Sequence, residues 1–248
     1  MKRKKILYVV VPVLIIILGI VGFFVYRGNR STYRDYSSVD IPLIQHIGIE
    51  FGEYNPATQL AGDIVFTDNE MGQLDLPVID FGYVIPANSV GPEKTNPQPT
   101  FVVPLGTKVH SMIDGVVVKV EQIYSGDYTI HVAKSRFSFY VYETEHVINP
   151  MVSVGDKVQA GQPIAEVSDY DVSNQSGNGI LEIGILVTGN PPAHLCPFDY
   201  LDPSIRDDTL SQLRSIYQSW NEFRGEEAYD ISMEVPGCVT TDPVYEIR

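Results

Sequence analysis

The sequence predicts a mainly β domain behind one membrane-spanning helix, closed by one amphipathic helix. Three observations predict it. Runs rich in β-branched and aromatic residues recur at Gly115–Glu121 (GVVVKVE), Asp127–Ala133 (DYTIHVA), Phe137–Glu143 (FSFYVYE) and Ile180–Val187 (ILEIGILV). Between them, Val152–Ile164 (VSVGDKVQAGQPI) places two turn signals, Gly155-Asp156 and Gly161-Gln162, six residues apart. At the N-terminus, Ile6–Tyr26 is a stretch of 21 residues without a charge, long enough to cross a hydrocarbon core of ~30 Å.

Residues 1–5 (MKRKK) form a short basic tail, and residues 6–26 form the anchor. A cleaved signal peptide has a shorter apolar region and a small-residue cleavage site. Here the run ends in Phe23-Phe24-Val25-Tyr26, with no such site and no lipobox cysteine. Lys2, Arg3, Lys4 and Lys5 precede the span, which favours a cytoplasmic N-terminus. The expectation is a single-pass protein of the cell membrane with an extracytoplasmic C-terminal domain.

Removing the six basic residues of Met1–Arg30 leaves 11 of the 17 basic side chains and all 31 acidic ones, a net charge of −20. Such a domain is repelled by nucleic acid, anionic headgroups and teichoic-acid-like polymers, and suits cations or basic partners. Residues 27–40 are polar and read as a stalk. Residues 41–100 form an N-terminal β segment and loop packed on the barrel. Its short apolar runs are Ile47–Phe51 and Asp63–Phe66, and Asn88–Thr100 (NSVGPEKTNPQPT) reads as a loop. The main domain occupies residues 101–203.

One docking helix is expected within residues 204–225. Over Asp207–Arg224, Leu210, Leu213, Ile216, Tyr217, Trp220 and Phe223 recur at 3- and 4-residue steps. Asp207, Asp208 and Thr209 suit its start and Gly225 its end. Residues 226–248 form a C-terminal tail. The two cysteines, Cys196 and Cys238, are free to bridge outside the membrane, which would tie the tail to the end of the barrel.

The central segment resembles the LytM- or lysostaphin-type zinc endopeptidases, built on the duplicated hybrid motif (barrel-sandwich-like antiparallel sheets). The matching residues are Pro104-Leu-Gly-Thr-Lys-Val109, Asp114-Gly-Val-Val117, Thr144-Glu-His146, Val152–Ile164, Gly179-Ile-Leu-Glu182 and Cys196-Pro-Phe-Asp-Tyr-Leu201. The resemblance spans about Phe101 to Leu201. Such enzymes hold zinc with a histidine, an aspartate four residues on, and the second histidine of a His-x-His strand, leaving a position for the attacking water. In this chain the first two positions fall on Asn96 and Thr100, and the His-x-His pair on Ile180 and Glu182. The separate "Y-x-H" histidine is retained as His146, with Thr144 in the tyrosine's place. No histidine lies between His46 and His110 to supply the missing ligand. The biotinyl- and lipoyl-carrier branch of the same fold is excluded, because the hairpin tip reads Ser168-Asp-Tyr-Asp171 and no lysine follows Lys157.

Two functions remain open. The resemblance, emptied of its ligands, implies a non-catalytic domain that binds an envelope protein or cell-wall peptide and needs no cofactor. The other reading is an active cell-wall metalloendopeptidase whose zinc site draws on Asp80, His110, His146 and Glu182, with His146 as general base or oxyanion stabiliser. Under the first reading His146 and Glu182 are the only weak catalytic candidates, and they should not converge with a third ligand on a tetrahedral site. His46, His131 and His194 are expected to be packed or surface residues.

Overall fold

In a computed structural model, the structure describes residues 17–19, 41–67, 75–87, 92–169, 177–189 and 191–245. The expected anchor and stalk lie outside them except for residues 17–19, which are helical. Among the described residues, no helix is long and apolar enough to cross a membrane. Ile41–Thr188 and Ala193–Arg248 make one compact unit.

The chain enters through a small antiparallel meander, β1 (Phe51–Asn55), β2 (Leu60–Gly62) and β3 (Ile64–Val65). Asn55 makes its first turn, accepting from the Ala57 amide through Oδ1 at 2.9 Å. Next come β4 (Val78–Ile79), β5 (Val84–Ile85) and β6 (Lys94–Thr95). The stretch read as a loop therefore holds a strand: β5 and β6 pair as a two-stranded hairpin. Backbone pairing is indifferent to the polar side chains there, which hid β6 from a composition-based reading.

The main sheet contains β7 (Thr100–Pro104), β8 (Lys108–His110), β9 (Gly115–Gln122), β10 (Tyr128–Ala133), β11 (Tyr140–Ile148), β12 (Lys157–Val158), β13 (Pro163–Val167), β14 (Asn178–Val187), β15 (Ala193–Leu195) and β16 (Val244–Tyr245). Its backbone order is β12-β9-β10-β11-β14-β15-β16. β7 adds to β14 and carries β4, and β13 bridges β11 and β8. Gly155 and Gly161 sit at φ +102° and +77°, the left-handed backbone that the two turns flanking β12 require.

The third long strand starts at Tyr140 rather than Phe137. The Ser138 amide donates to the Ser135 carbonyl at 3.0 Å, and this turn uses up the first residues of the aromatic run. The strand continues to Ile148, which brings Glu143, Thr144, Glu145 and His146 into one extended segment. Period-2 alternation then divides them between faces. Tyr140, Tyr142 and Thr144 pack inward with Ile183 and Ile185, while Glu143 and Glu145 turn to the other face.

The helix α1 (Pro203–Arg224) begins four residues before the expected start. Asp202 is the cap, its carboxylate accepting from the Ser204 amide at 2.9 Å, and Pro203 opens the first turn. Gly225 closes the helix in the left-handed conformation. The stripe lies against the β1–β3 meander. Trp220 meets Phe66 edge-on at 5.2 Å, Phe66 stacks on Tyr54 at 4.3 Å, and Phe223 meets Tyr54 at 6.0 Å. Cys196 and Cys238 form a disulfide, beside a bridge between Phe81 and Cys238.

Candidate functional site

Register assembles the site. Glu182 in the middle of β14 stands opposite Thr100 of β7 on one side and Glu145 of β11 on the other. Glu143 stands opposite Gly184 and, across the other edge of β11, opposite His131 of β10. One sheet face thus carries Thr100, Glu182, Glu145, Glu143 and His131 in a band across four strands.

The positions at which the resemblance expects metal ligands are engaged otherwise. Asn96 is 3% exposed. Its Nδ2 donates to the carbonyls of Gln98 at 2.6 Å, Asp80 at 3.2 Å and Ile79 at 3.3 Å. Three carbonyls around one nitrogen fix the amide's orientation, and the group serves as a peg between backbone segments. The Thr100 hydroxyl lies 3.3 Å from the Gln98 carbonyl and 3.2 Å from Glu182 Oε1. Ile180, at the first histidine of the expected pair, packs on Val65 and Val102. Glu182 alone offers a charged donor. Two neutral side chains already committed to hydrogen bonds do not fit a zinc ion at this position.

His146 is built differently. Its backbone is left-handed, φ +61°, where the β10–β11 register shifts. For a non-glycine residue this conformation costs roughly 1–3 kcal/mol and must be enforced by its surroundings. Nδ1 lies 3.0 Å from Asp127 Oδ2, which also accepts from Ser168 Oγ at 2.5 Å. Nε2 is 3.7 Å from Glu182 Oε2. Asp127 thus orients the ring toward the acidic band. Ligand atoms of Glu145, His146 and Glu182 all lie within 4.8 Å of one another. Glu145, adjacent to His146 in sequence and paired with Glu182 across the sheet, stands beside them.

Burial pushes the Glu145 carboxyl up to about 8, with Glu143 and Glu182 adding repulsion. Burial also acts upward on Glu143, but His131 beside it, together with His194 and Lys119, outweighs this and holds it below the ordinary range. The face therefore concentrates acid that is stabilised by protons, histidine or a bound cation.

The other sequence candidates lie elsewhere. The Asp80 carboxylate accepts from the Tyr217 hydroxyl in the core beneath α1. His110 on β8 packs against His46, ring centres 5.0 Å apart. Neither joins a described group of potential ligands. Asp127, His131, Glu143 and Glu145 escaped the sequence reading. Their signal was the Glu-x-Glu spacing at 143 and 145 within a strand, which puts both carboxylates on one face. The cross-strand histidine needed the register. Two surface clefts, of about 340 Å³ beside Gln218, Asn221 and Ile231 and about 610 Å³ beside Asp114, Lys134 and Lys157, are lined by none of these residues.

Residues 99–191 match the family model described as Peptidase family M23. Comparison with curated proteins finds no match. Among solved structures, the catalytic domain of the antimicrobial peptidase lysostaphin from Staphylococcus simulans is 21% identical over 44% of this chain and 77% of its own, with a TM-score of 0.36. A variant catalytic domain of the prophage-encoded M23 protein EnpA from Enterococcus faecalis is 20% identical over 48% and 85%, TM-score 0.38. A zinc-containing peptidase from Vibrio cholerae is 25% identical over 46% and 33%, TM-score 0.36. The chain covers 43% of lysostaphin in its solution structure.

Proposed function

We propose, from the premise that residues 99–191 are an M23-family domain, that this chain is a membrane-anchored, extracytoplasmic and non-catalytic member. Its acidic sheet face binds an envelope protein or a cell-wall peptide. The observation that carries this reading is Asn96. At the position of a metal-binding histidine stands an amide whose two protons are shared among three backbone carbonyls. An amide fixed in this way offers an ion only its neutral oxygen, a weak ligand where an imidazole is expected. The anchor rests on the 21 uncharged residues of Ile6–Tyr26 and the basic tail before them. The net charge of −20 beyond Arg30 favours a basic or amine-bearing ligand over anionic wall polymers.

A second reading has its own support. Glu145, His146 and Glu182 lie within 4.8 Å of one another, a set able to hold an ion displaced from the inherited position. That reading makes the chain an atypical metalloendopeptidase. A murein zymogram of the purified chain separates the two. The expected result is no cleared band, together with sedimentation of the chain with murein sacculi or its capture with an envelope protein. Clearing that a chelator abolishes would replace the first reading by the second.

A further inference from the structure

Cations are few in this domain, and most of the described ones are engaged. Lys108, Lys119, Arg206 and Arg224 pair with Glu166, Glu121, Asp199 and Asp75. Arg214 donates to the carbonyls of Ile231 and Met233. Among the described residues, Lys94, Lys134, Arg136 and Lys157 have neither an ion pair nor a side-chain hydrogen bond. Lys94 stands alone on the β5–β6 hairpin, whereas the other three are neighbours. Lys134 and Lys157 both border the cleft of about 610 Å³, with Val116 and Val158 between them. Register puts them there: Val116 of β9 stands opposite Lys157 of β12 on one side and Ala133, the residue before Lys134, on the other. Arg136 reaches the turn before β12, where a Cβ placed on Gly155 would lie 2.9 Å from its Nη2. Gly155, at φ +102° and without a side chain, leaves that guanidinium its room. The acids in these segments are tied into backbone bonds. Asp114 accepts from the Ala160 amide at 2.9 Å, and Asp156 from the Ser153 amide at 2.8 Å. Phe137, 80% exposed, follows Arg136, and Val154, 59% exposed, precedes Gly155.

We propose that this cleft docks an acidic segment of a protein partner, its carboxylates held by Lys134, Arg136 and Lys157. In a domain with a net charge of −20 beyond Arg30, a cation has acids in plenty to neutralise. Three that leave theirs unpaired make one positive spot on a negative body. An acidic partner is repelled everywhere else and is steered to this spot in one orientation. Arg136 offers a planar fork suited to a carboxylate, and the two lysines add point charges. Gln162 adds a donor: its Oε1 accepts from the Gln159 amide at 3.2 Å, so its Nε2 remains for a ligand in the cleft. The apolar side chains decide between a peptide and a bare anion. Val116 and Val158 in the cleft, and Phe137 and Val154 beside it, have nothing to offer a small ion, whereas arginine with exposed aromatic and aliphatic side chains is the make-up of a protein interface. None of the residues of the acidic face lines this cleft. The inference therefore goes beyond the proposed function and stands whatever that face binds.

Carbodiimide coupling of a synthetic hexaglutamate peptide to the full chain in neutral detergent tests it, with the modified lysines mapped by peptide mass spectrometry. Beyond Arg30, Lys134 and Lys157 should be the main sites of coupling, in excess of Lys94, Lys108 and Lys119. Arg136→Gln removes no amine, yet it should lower the yield at Lys134 and Lys157 by about 2- to 5-fold, the range of one exposed ion pair, and leave Lys94 unchanged. Equal coupling at all five lysines, or a yield at Lys134 and Lys157 indifferent to Arg136→Gln, overturns the proposal. So does suppression by inorganic phosphate beyond that by chloride of the same ionic strength, because the cleft would then take a small anion rather than a peptide. Amide exchange of the unaltered chain gives a readout independent of variant folding. Hexaglutamate should slow exchange in β12 and in the β10–β11 turn, and slowing confined to other segments, or none, overturns the proposal.

Discussion

Asn96 and Asp80 show how much of this molecule turns on single polar side chains below the surface. The Asn96 amide joins Ile79, Asp80 and Gln98 through their carbonyls. Asn96→Ala removes a buried donor from three carbonyls, of which Asp80 and Gln98 keep the Tyr83 amide and the Thr100 hydroxyl, and should lower stability by roughly 1–3 kcal/mol, read from urea unfolding midpoints. Asp80 accepts from Tyr217, but burial is the larger influence and lifts its carboxyl to about 6. The unfolded chain loses this proton near pH 3.8 and the folded chain near 6. Between those values the folded state binds more protons, so stability falls as pH rises and levels off above about 6. A shift of about two pH units corresponds to roughly 3 kcal/mol. Asp80→Asn should flatten this part of the curve, measured as denaturant midpoints at pH 4 and pH 7. A slope unchanged from the native chain would show that another group sets it.

At the scale of elements, the helix and the small meander depend on each other. A three-stranded sheet of five, three and two residues buries too little by itself to persist. It is covered by the stripe of α1, with Trp220 on Phe66 at 5.2 Å and Phe223 on Tyr54 at 6.0 Å. Trp220→Ala should cost about 3–5 kcal/mol. It should also raise amide exchange in β1–β3 before it does so in β10, β11 and β14. Exchange rising equally everywhere would mean that the helix supports the main sheet as directly. The helical stripe was legible because a 3.6-residue period shows in one dimension. The start of α1 was misplaced by four residues, because Asp207 and Asp208 resemble a cap as well as Asp202 does. Only the bond from the Ser204 amide to Asp202 tells them apart.

For the molecule as a whole, the Cys196–Cys238 bridge joins chain segments 42 residues apart, across the length of α1. Reduction should lower stability by about 2–4 kcal/mol and make the segment after Gly225 sensitive to protease, with the main sheet remaining protected. Sequence by itself determined the β character, the glycine turns at 155 and 161 and the amphipathic stripe, and it set neutral Asn96 and Thr100 at positions where the resemblance expects ligands. These follow from residue type and short-range period, which need no partner strand. Tertiary structure alone decided that His131, Glu143, Glu145, His146 and Glu182 share one face. Antiparallel register places side chains from four strands together at separations of up to 82 residues, as with Thr100 and Glu182. A single sequence carries no term for which strand lies beside which.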